Sequence, residues 1–289
     1  MRKTFIFTAF IFLFIIGALG TKAQQTRQNL KELVRTVAGD KGTNEEKTRK
    51  LVQWINTNFT WSYTDYQKRT VEEIIERRAG NCAELANVLA ALLKEGNIPF
   101  RWAAEINIQP QKPERQESAA QLVAEKGNYY SVFGLMHNDH VWLEVRDEKN
   151  KTWFPADPAV GVVGLKDWLA ARMAFDNRLK PVVPEVAETV KEMLVPFIVV
   201  ASETRKGKLV ENRSKYYVVD GFNSFYANKL AKLPAWREWL NSVEKISTFA
   251  EGALNGEVNL HEHQKEIERV LQSYEKLRQE ASDKKIARK

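Results

Sequence analysis

An α+β fold is what the sequence predicts, on three observations. Leu85, Val88, Leu89, Leu92 and Leu93 recur at the spacing of one helix face. Phe100, Trp102, Ala104, Ile106 and Ile108 then alternate with other residues, the period of a half-buried strand. Val141, Leu143 and Val145 alternate with His140, Trp142 and Glu144, and a polar turn at 148–151 leads into a further strand at 152–156. One helix against strands joined in this way is an α+β arrangement with an antiparallel sheet.

The elements follow in order. Residues 1–23 open with Arg2 and Lys3, continue with an apolar run dominated by Phe and Ile, and end in Thr21-Lys22-Ala23, the layout of a secretory signal peptide. The run is short for a bilayer span, which needs roughly 20 apolar residues, so no stable membrane span is expected after cleavage. Leu30, Leu33, Val34 and Val37 suggest a helix before Gly42. Asn44 reads as the N-cap of a helix to about Asn56, with Glu45 and Glu46 in its first turn. Phe59, Trp61 and Tyr63 alternate as an extended segment, and 70–78 suits another helix. Asn81 is a good N-cap and puts Cys82 in the first turn of the helix that Gly96 and Pro99 end. The stretch 110–126 is polar and holds two prolines, as an exposed loop does. Past Gly164, a helix is expected at 167–175, another from Pro184 to Leu194, strands at 197–201 and 216–219, and helices from Phe225 onward. The last of these carries Ile267, Val270, Tyr274, Leu277 and Ala281 on one stripe, a candidate meeting face for a helical partner. The organisation is thus 1–23 signal peptide, 24–165 core and 166–289 a mixed, then helical, C-terminal extension.

Composition excludes little but is useful. The net charge of +7 falls to +4 once residues 1–23 are set aside, and no basic stripe is interleaved with aromatics, so nucleic acid is not an expected partner. Cys82 is the only cysteine. In an exported chain, where cysteines usually pair, a single one is a free reactive thiol, an intermolecular bridge or a packing residue.

A thiol acts as a nucleophile in its thiolate form, and a helix N-terminus favours negative charge. Cys82 is placed to use that effect. His140 could pair with it as base, and Asp157, after the next strand, could orient the imidazole from its other nitrogen. Backbone N–H groups at the same helix start could stabilise an oxyanion. A mixed zinc site from His137, His140, Cys82 and Asp157 is disfavoured, because residues three apart in a strand point to opposite faces and no Cys-x-x-Cys pair is present.

Gly80-Asn81-Cys82, with Ala86, Leu92-Leu93 and Ile98-Pro99-Phe100-Arg101, resembles the cysteine block of the transglutaminase-like superfamily. His140-Val141-Trp142-Leu143-Glu144-Val145 resembles its histidine block, and Trp153 through Asp157-Pro158 its aspartate block. The resemblance covers roughly 51–158 and implies a papain/transglutaminase-like core with Cys82 as nucleophile, His140 as base and Asp157 as orienter. It also implies, as in several members, an upstream aromatic or glutamine that helps hold the oxyanion; Trp61, Tyr63 and Trp54 are the candidates, and the sequence does not choose among them. The segment between Ile108 and Asn138 is longer than the family's minimal pattern, which would cover or remodel a substrate groove.

The expected function is an exported, periplasmic or extracellular, cysteine-dependent acyl-transfer enzyme acting on peptide or glutamine carboxamides through a thioester. Resolution by water makes it a peptidase or amidase, the favoured outcome; resolution by a primary amine makes it a crosslinking transglutaminase. A third reading is a non-catalytic module that binds a peptide or wall polymer on the same fold. No cofactor is expected, and no acidic loop suggests calcium.

Overall fold

The computed structural model describes residues 28–63, 65, 67–108, 138–173, 195–205, 209–249, 252, 257, 258 and 260–286. The segment 1–23 expected to be a signal peptide, the polar stretch at 110–126, His137 and the helix expected from Pro184 to Leu194 lie outside these residues. Among the described residues no helix is long and apolar enough to cross a membrane.

Helix α1 covers residues 28–38, and α2 runs Asn44–Asn58. Asn44 is the first helical residue rather than the cap. Thr43 takes that role, accepting from the Glu46 N–H while Glu46 reaches back to the Thr43 N–H. The Thr-x-x-Glu capping box satisfies two orphan donors at once, which a bare Asn44 cap would not. Strand β1 (Thr60–Trp61), helix α3 (Val71–Arg77) and strand β2 (Ala79–Gly80) follow, with β1 and β2 pairing in parallel. Helix α4 is Cys82–Glu95. Its buried stripe includes Leu85, Val88, Leu89, Leu92 and Leu93, the face its spacing predicts.

Six strands form one sheet: β3 (Phe100–Ile108), β4 (Asn138–Arg146), β5 (Trp153–Asp157), β6 (Val162–Val163), β7 (Val195–Ser202) and β8 (Leu209–Asn212), in the order β6-β5-β4-β3-β7-β8. All neighbours are antiparallel. Two of the six strands therefore come from beyond Gly164. The expected strand at 197–201 is present as β7, but the one at 216–219 is not. Residues Lys215–Gly221 form a π-helix, and the strand that pairs with β7 is the earlier 209–212. Tyr217, Val218 and Val219 are all buried in succession. A run buried on every side carries no alternation, and aromatic and β-branched residues in it imitate a strand without specifying one.

Helix α5 (Leu165–Met173), then α6 (Phe222–Leu230), α7 (Pro234–Ser247) and α8 (Gln264–Ile286) complete the described elements, with a short 3₁₀ turn at Leu260–His263. The strand period divides the sheet into two faces. Leu143, Val145 and Trp102 join a core with α4, α2 and α1. Trp142 and Ala103, on the other face, join a second core built by the chain from α5 onward. The stripe Ile267, Val270, Tyr274, Leu277 and Ala281 is buried in that second core, so the face expected to meet a partner helix meets α7 and the sheet of its own chain.

Candidate active site

Asn81 builds the start of α4. Its side-chain oxygen accepts from the N–H groups of Ala83 and Glu84, both at 3.0 Å, while the Glu84 carboxylate accepts from the Asn81 N–H at 3.1 Å. This cap leaves the Cys82 N–H outside its own bonds, at a position with no intrahelical acceptor. Glu84 is fully buried and is held by Arg69 at 2.8 Å, with Arg77 at 3.8 Å. The loop bearing Arg69 is thereby tied to the first turn of the cysteine helix. Gly80 is required by close approach: a Cβ there would sit 2.9 Å from the Cβ of Glu84 and 3.3 Å from Leu85.

His140 lies on the face of β4 that also carries Trp142 and Glu144. Strand β5 flanks β4 only from Leu143 onward, so the edge at His140 is open toward the start of α4, where Ala83 packs on Val141. The His140 Nε2 bonds Asp157 Oδ2 at 2.6 Å, and Asp157 is fully buried at the end of β5, its other oxygen accepting from the Ala159 N–H at 3.1 Å. The Cys82 side chain lies within hydrogen-bonding reach of the same ring. Burial by itself disfavours a charged ring. The Asp157 carboxylate outweighs that penalty and the opposing Arg172 charge, the thiol adds to it, and the His140 pKa is raised to about 10. The balance favours the protonated ring.

The three residues that the sequence singles out thus meet: Cys82 by a capped helix, His140 by an open strand edge, Asp157 by the next strand. The aromatic candidates are placed differently. Trp61 is the register partner of Gly80, two residues before Cys82, and its ring meets that of Tyr63 at 4.7 Å. Trp54 packs on Phe59 at 5.6 Å and lies beneath the Arg78 guanidinium at 5.8 Å. Of the three, Trp61 and Tyr63 stand on the segment that borders the cysteine turn. Among the described residues no group of three or more His, Cys, Asp or Glu side chains is arranged to hold a metal ion.

Sequence reasoning missed the charged groups around the site. Glu105, the cross-strand partner of His140, is fully buried and paired with Arg172 of α5. Glu144 accepts from Arg101 at 2.6 Å, Arg213 at 2.9 Å and the Tyr217 hydroxyl at 2.8 Å. A carboxylate inside an otherwise apolar strand pattern signals a buried partner, but nothing local identifies it, because Arg172, Arg213 and Tyr217 are 67, 69 and 73 residues away.

Residues 31–158 match the model of the transglutaminase-like superfamily. Among solved structures, a candidate cysteine protease from Cytophaga hutchinsonii is 17% identical, with 48% of this chain and 40% of that chain covered at a TM-score of 0.32. A candidate protease from Parabacteroides distasonis is 11% identical, with 65% and 28% covered at 0.34. A chain of the Rad4–Rad23 complex bound to a 6-4 photoproduct UV lesion is 13% identical, with 89% and 54% covered at 0.35. The present chain spans less than two thirds of each of those chains. Comparison with curated proteins finds no match. The capped cysteine helix, the histidine strand and the aspartate strand all lie within residues 31–158, the segment that matches the transglutaminase-like superfamily model.

Proposed function

We propose that the protein is an exported cysteine-dependent acyl-transfer enzyme that hydrolyses peptide or glutamine carboxamides. The observation that carries this reading is the buried His140–Asp157 pair in contact with a thiol at the first residue of a capped helix. A ring charged at neutral pH favours the thiolate beside it. The Cys82 thiolate attacks the amide carbonyl carbon, and the carbonyl oxygen takes the negative charge. The Cys82 N–H is oriented by the helix start and supplies one donor to that oxygen; Trp61 or Tyr63, on the segment that pairs with Gly80, is the candidate for a second. The C–N bond then breaks as the imidazolium gives its proton to the departing amine, leaving a thioester on Cys82. His140, now neutral, takes a proton from water as its oxygen attacks the thioester. The acid leaves, and the thiolate–imidazolium pair is restored. Asp157 keeps the ring oriented throughout and stabilises its charged form.

A primary amine in place of that water would crosslink rather than hydrolyse. One experiment separates the outcomes. The mature protein is incubated with a peptide library, with and without a primary amine, and products are read by mass spectrometry with Cys82→Ala as control. Cleavage or deamidation lost in Cys82→Ala supports the proposal. Amine adducts in preference to acids convert it to a transglutaminase. No product, together with iodoacetamide labelling of Cys82 only above about pH 8, marks an unactivated thiol and favours a binding module. Export is tested by sequencing the N-terminus of the protein recovered outside the cytoplasm, with cleavage expected after Ala23.

A further inference from the structure

The face of β4 that bears His140 is covered by the C-terminal half of the chain, and one contact there is specific rather than merely apolar. Trp142 stacks on His140, the rings 5.7 Å apart and inclined by 24°. The Trp142 indole N–H donates to the Tyr217 hydroxyl at 3.1 Å, and that hydroxyl donates to Glu144 at 2.8 Å. Glu144 is fully buried and anchored from two further sides by Arg101 and Arg213. Tyr217 is itself fully buried, wedged between Trp142 at 5.5 Å and Trp168 at 4.6 Å. It comes from the π-helix at 215–221, a conformation that is rare and frequent at functional sites.

We infer that Tyr217 is a positioning residue for His140: its hydroxyl, bridging the Trp142 indole to the anchored Glu144 carboxylate, fixes the plane of Trp142 and thereby the plane of the imidazole stacked on it. The inference rests on the Cys82–His140–Asp157 reading. The physical reason is directional. Stacking leaves a ring free to slide and rotate in its own plane, whereas an N–H donor aimed at one oxygen removes that freedom. The phenol is suited to the task. Burial, first, and the nearby Glu144 push its ionisation well above the usual tyrosine range, so it stays a donor. The segment that supplies it lies outside the family match, so the C-terminal half is part of the active-site scaffold rather than an appendage.

Cys82 is the sole cysteine, so iodoacetamide labelling of the whole mature protein, followed by mass, reports on it alone. The rate is measured from pH 5 to 9 for wild type, Tyr217→Phe, Trp142→Phe, the double variant and Trp239→Phe. The last is a control fully buried in the same core but without a hydrogen bond to the chain of residues above. Tyr217→Phe is expected to slow labelling at pH 6 by about tenfold and to move the profile toward that of an ordinary thiol, near pH 8.5. Trp142→Phe should do the same, with no further loss in the double variant, since the Trp142–Tyr217 bond is broken in both. Trp239→Phe should lower the urea midpoint and leave the profile in place. A Tyr217→Phe profile superimposed on wild type overturns the inference, as does an equal shift in Trp239→Phe, which would make the role structural only. Should Tyr217→Phe not fold, Trp142→Phe alone decides, because it keeps the Tyr217–Glu144 bond. An ordinary-thiol profile in the wild type sinks the triad reading and this inference with it; an activated wild type with an unshifted Tyr217→Phe sinks this inference alone.

Discussion

The buried imidazolium makes a quantitative demand on stability. In the unfolded chain a histidine titrates near 6.5, whereas the folded His140 holds its proton to about pH 10. A group whose pKa rises on folding stabilises the fold fully below its unfolded value and loses that contribution as pH climbs through its folded value. The window is therefore pH 6.5 to 10, with stability falling as pH rises. Each tenfold gain in proton affinity on folding corresponds to about 1.4 kcal/mol, so the whole contribution is on the order of 5 kcal/mol, and about 3 kcal/mol of it is lost between pH 6.5 and 9. Because the ring is buried, solvent screening takes little from this figure.

The assay is urea unfolding across that range for Cys82→Ala and for Cys82→Ala/His140→Gln. Removing the thiol from both arms eliminates its own titration, and it is the smallest of the causes acting on the ring. Working below pH 9 limits interference from tyrosine and lysine, which titrate near 10. The difference in unfolding free energy between the two should shrink by about 3 kcal/mol from pH 6.5 to 9. Asp157→Asn on the Cys82→Ala background should flatten the dependence, since the carboxylate is the largest cause raising the histidine. A difference that stays constant within about 1 kcal/mol across the range would refute the buried imidazolium–carboxylate pair.

Three other outcomes are expected. Glu144→Ala should destabilise by about 1–3 kcal/mol in denaturant unfolding, because Arg101, Arg213 and the Tyr217 hydroxyl lose their buried acceptor and the two arginines keep only the more exposed Glu211. Asn81→Ala should cost about 1 kcal/mol of stability, and Asn81→Asp should recover most of it, as read by thermal unfolding, since an aspartate oxygen can accept the same two N–H bonds. Gly80→Ala should lower the thermal midpoint and slow Cys82 alkylation together, because the added methyl drives into the Cβ of Glu84 and displaces the turn that carries the thiol.

What was legible in the sequence is what is local. The face Leu85 to Leu93, the Asn81 cap and the alternation on either side of His140 are patterns within one element, and each is present as read. Even the misplaced cap of α2 was a local matter, since Thr43 and Glu46 stand at capping-box spacing in plain view. The candidate set of Cys82, His140 and Asp157 was legible only because three short patterns, each ordinary alone, occur in one order. Illegible were the groups that act across the fold. Tyr217 looked like part of a strand because burial on all sides erases the period that distinguishes helix from strand. Its hydroxyl reaches Glu144 from 73 residues away, and no spacing rule links them. The same holds for Arg172 and Glu105 beside His140. This division follows from how such a site is made. The nucleophile needs a helix start, and the base and orienter need adjacent strands, all of which the chain can encode within one segment. Fixing a charged ring in an apolar interior is a different problem, because every polar group near it must itself be paired. Those partners are drawn from whichever part of the chain covers the sheet. Here that part is the C-terminal half, so its removal should uncover the second core and unpair Glu105 and Glu144 at once. A fragment ending after Pro158 should therefore fail to give a cooperative unfolding transition, and one that folded cooperatively and kept a fast-alkylating Cys82 would show that the C-terminal half is dispensable to the site.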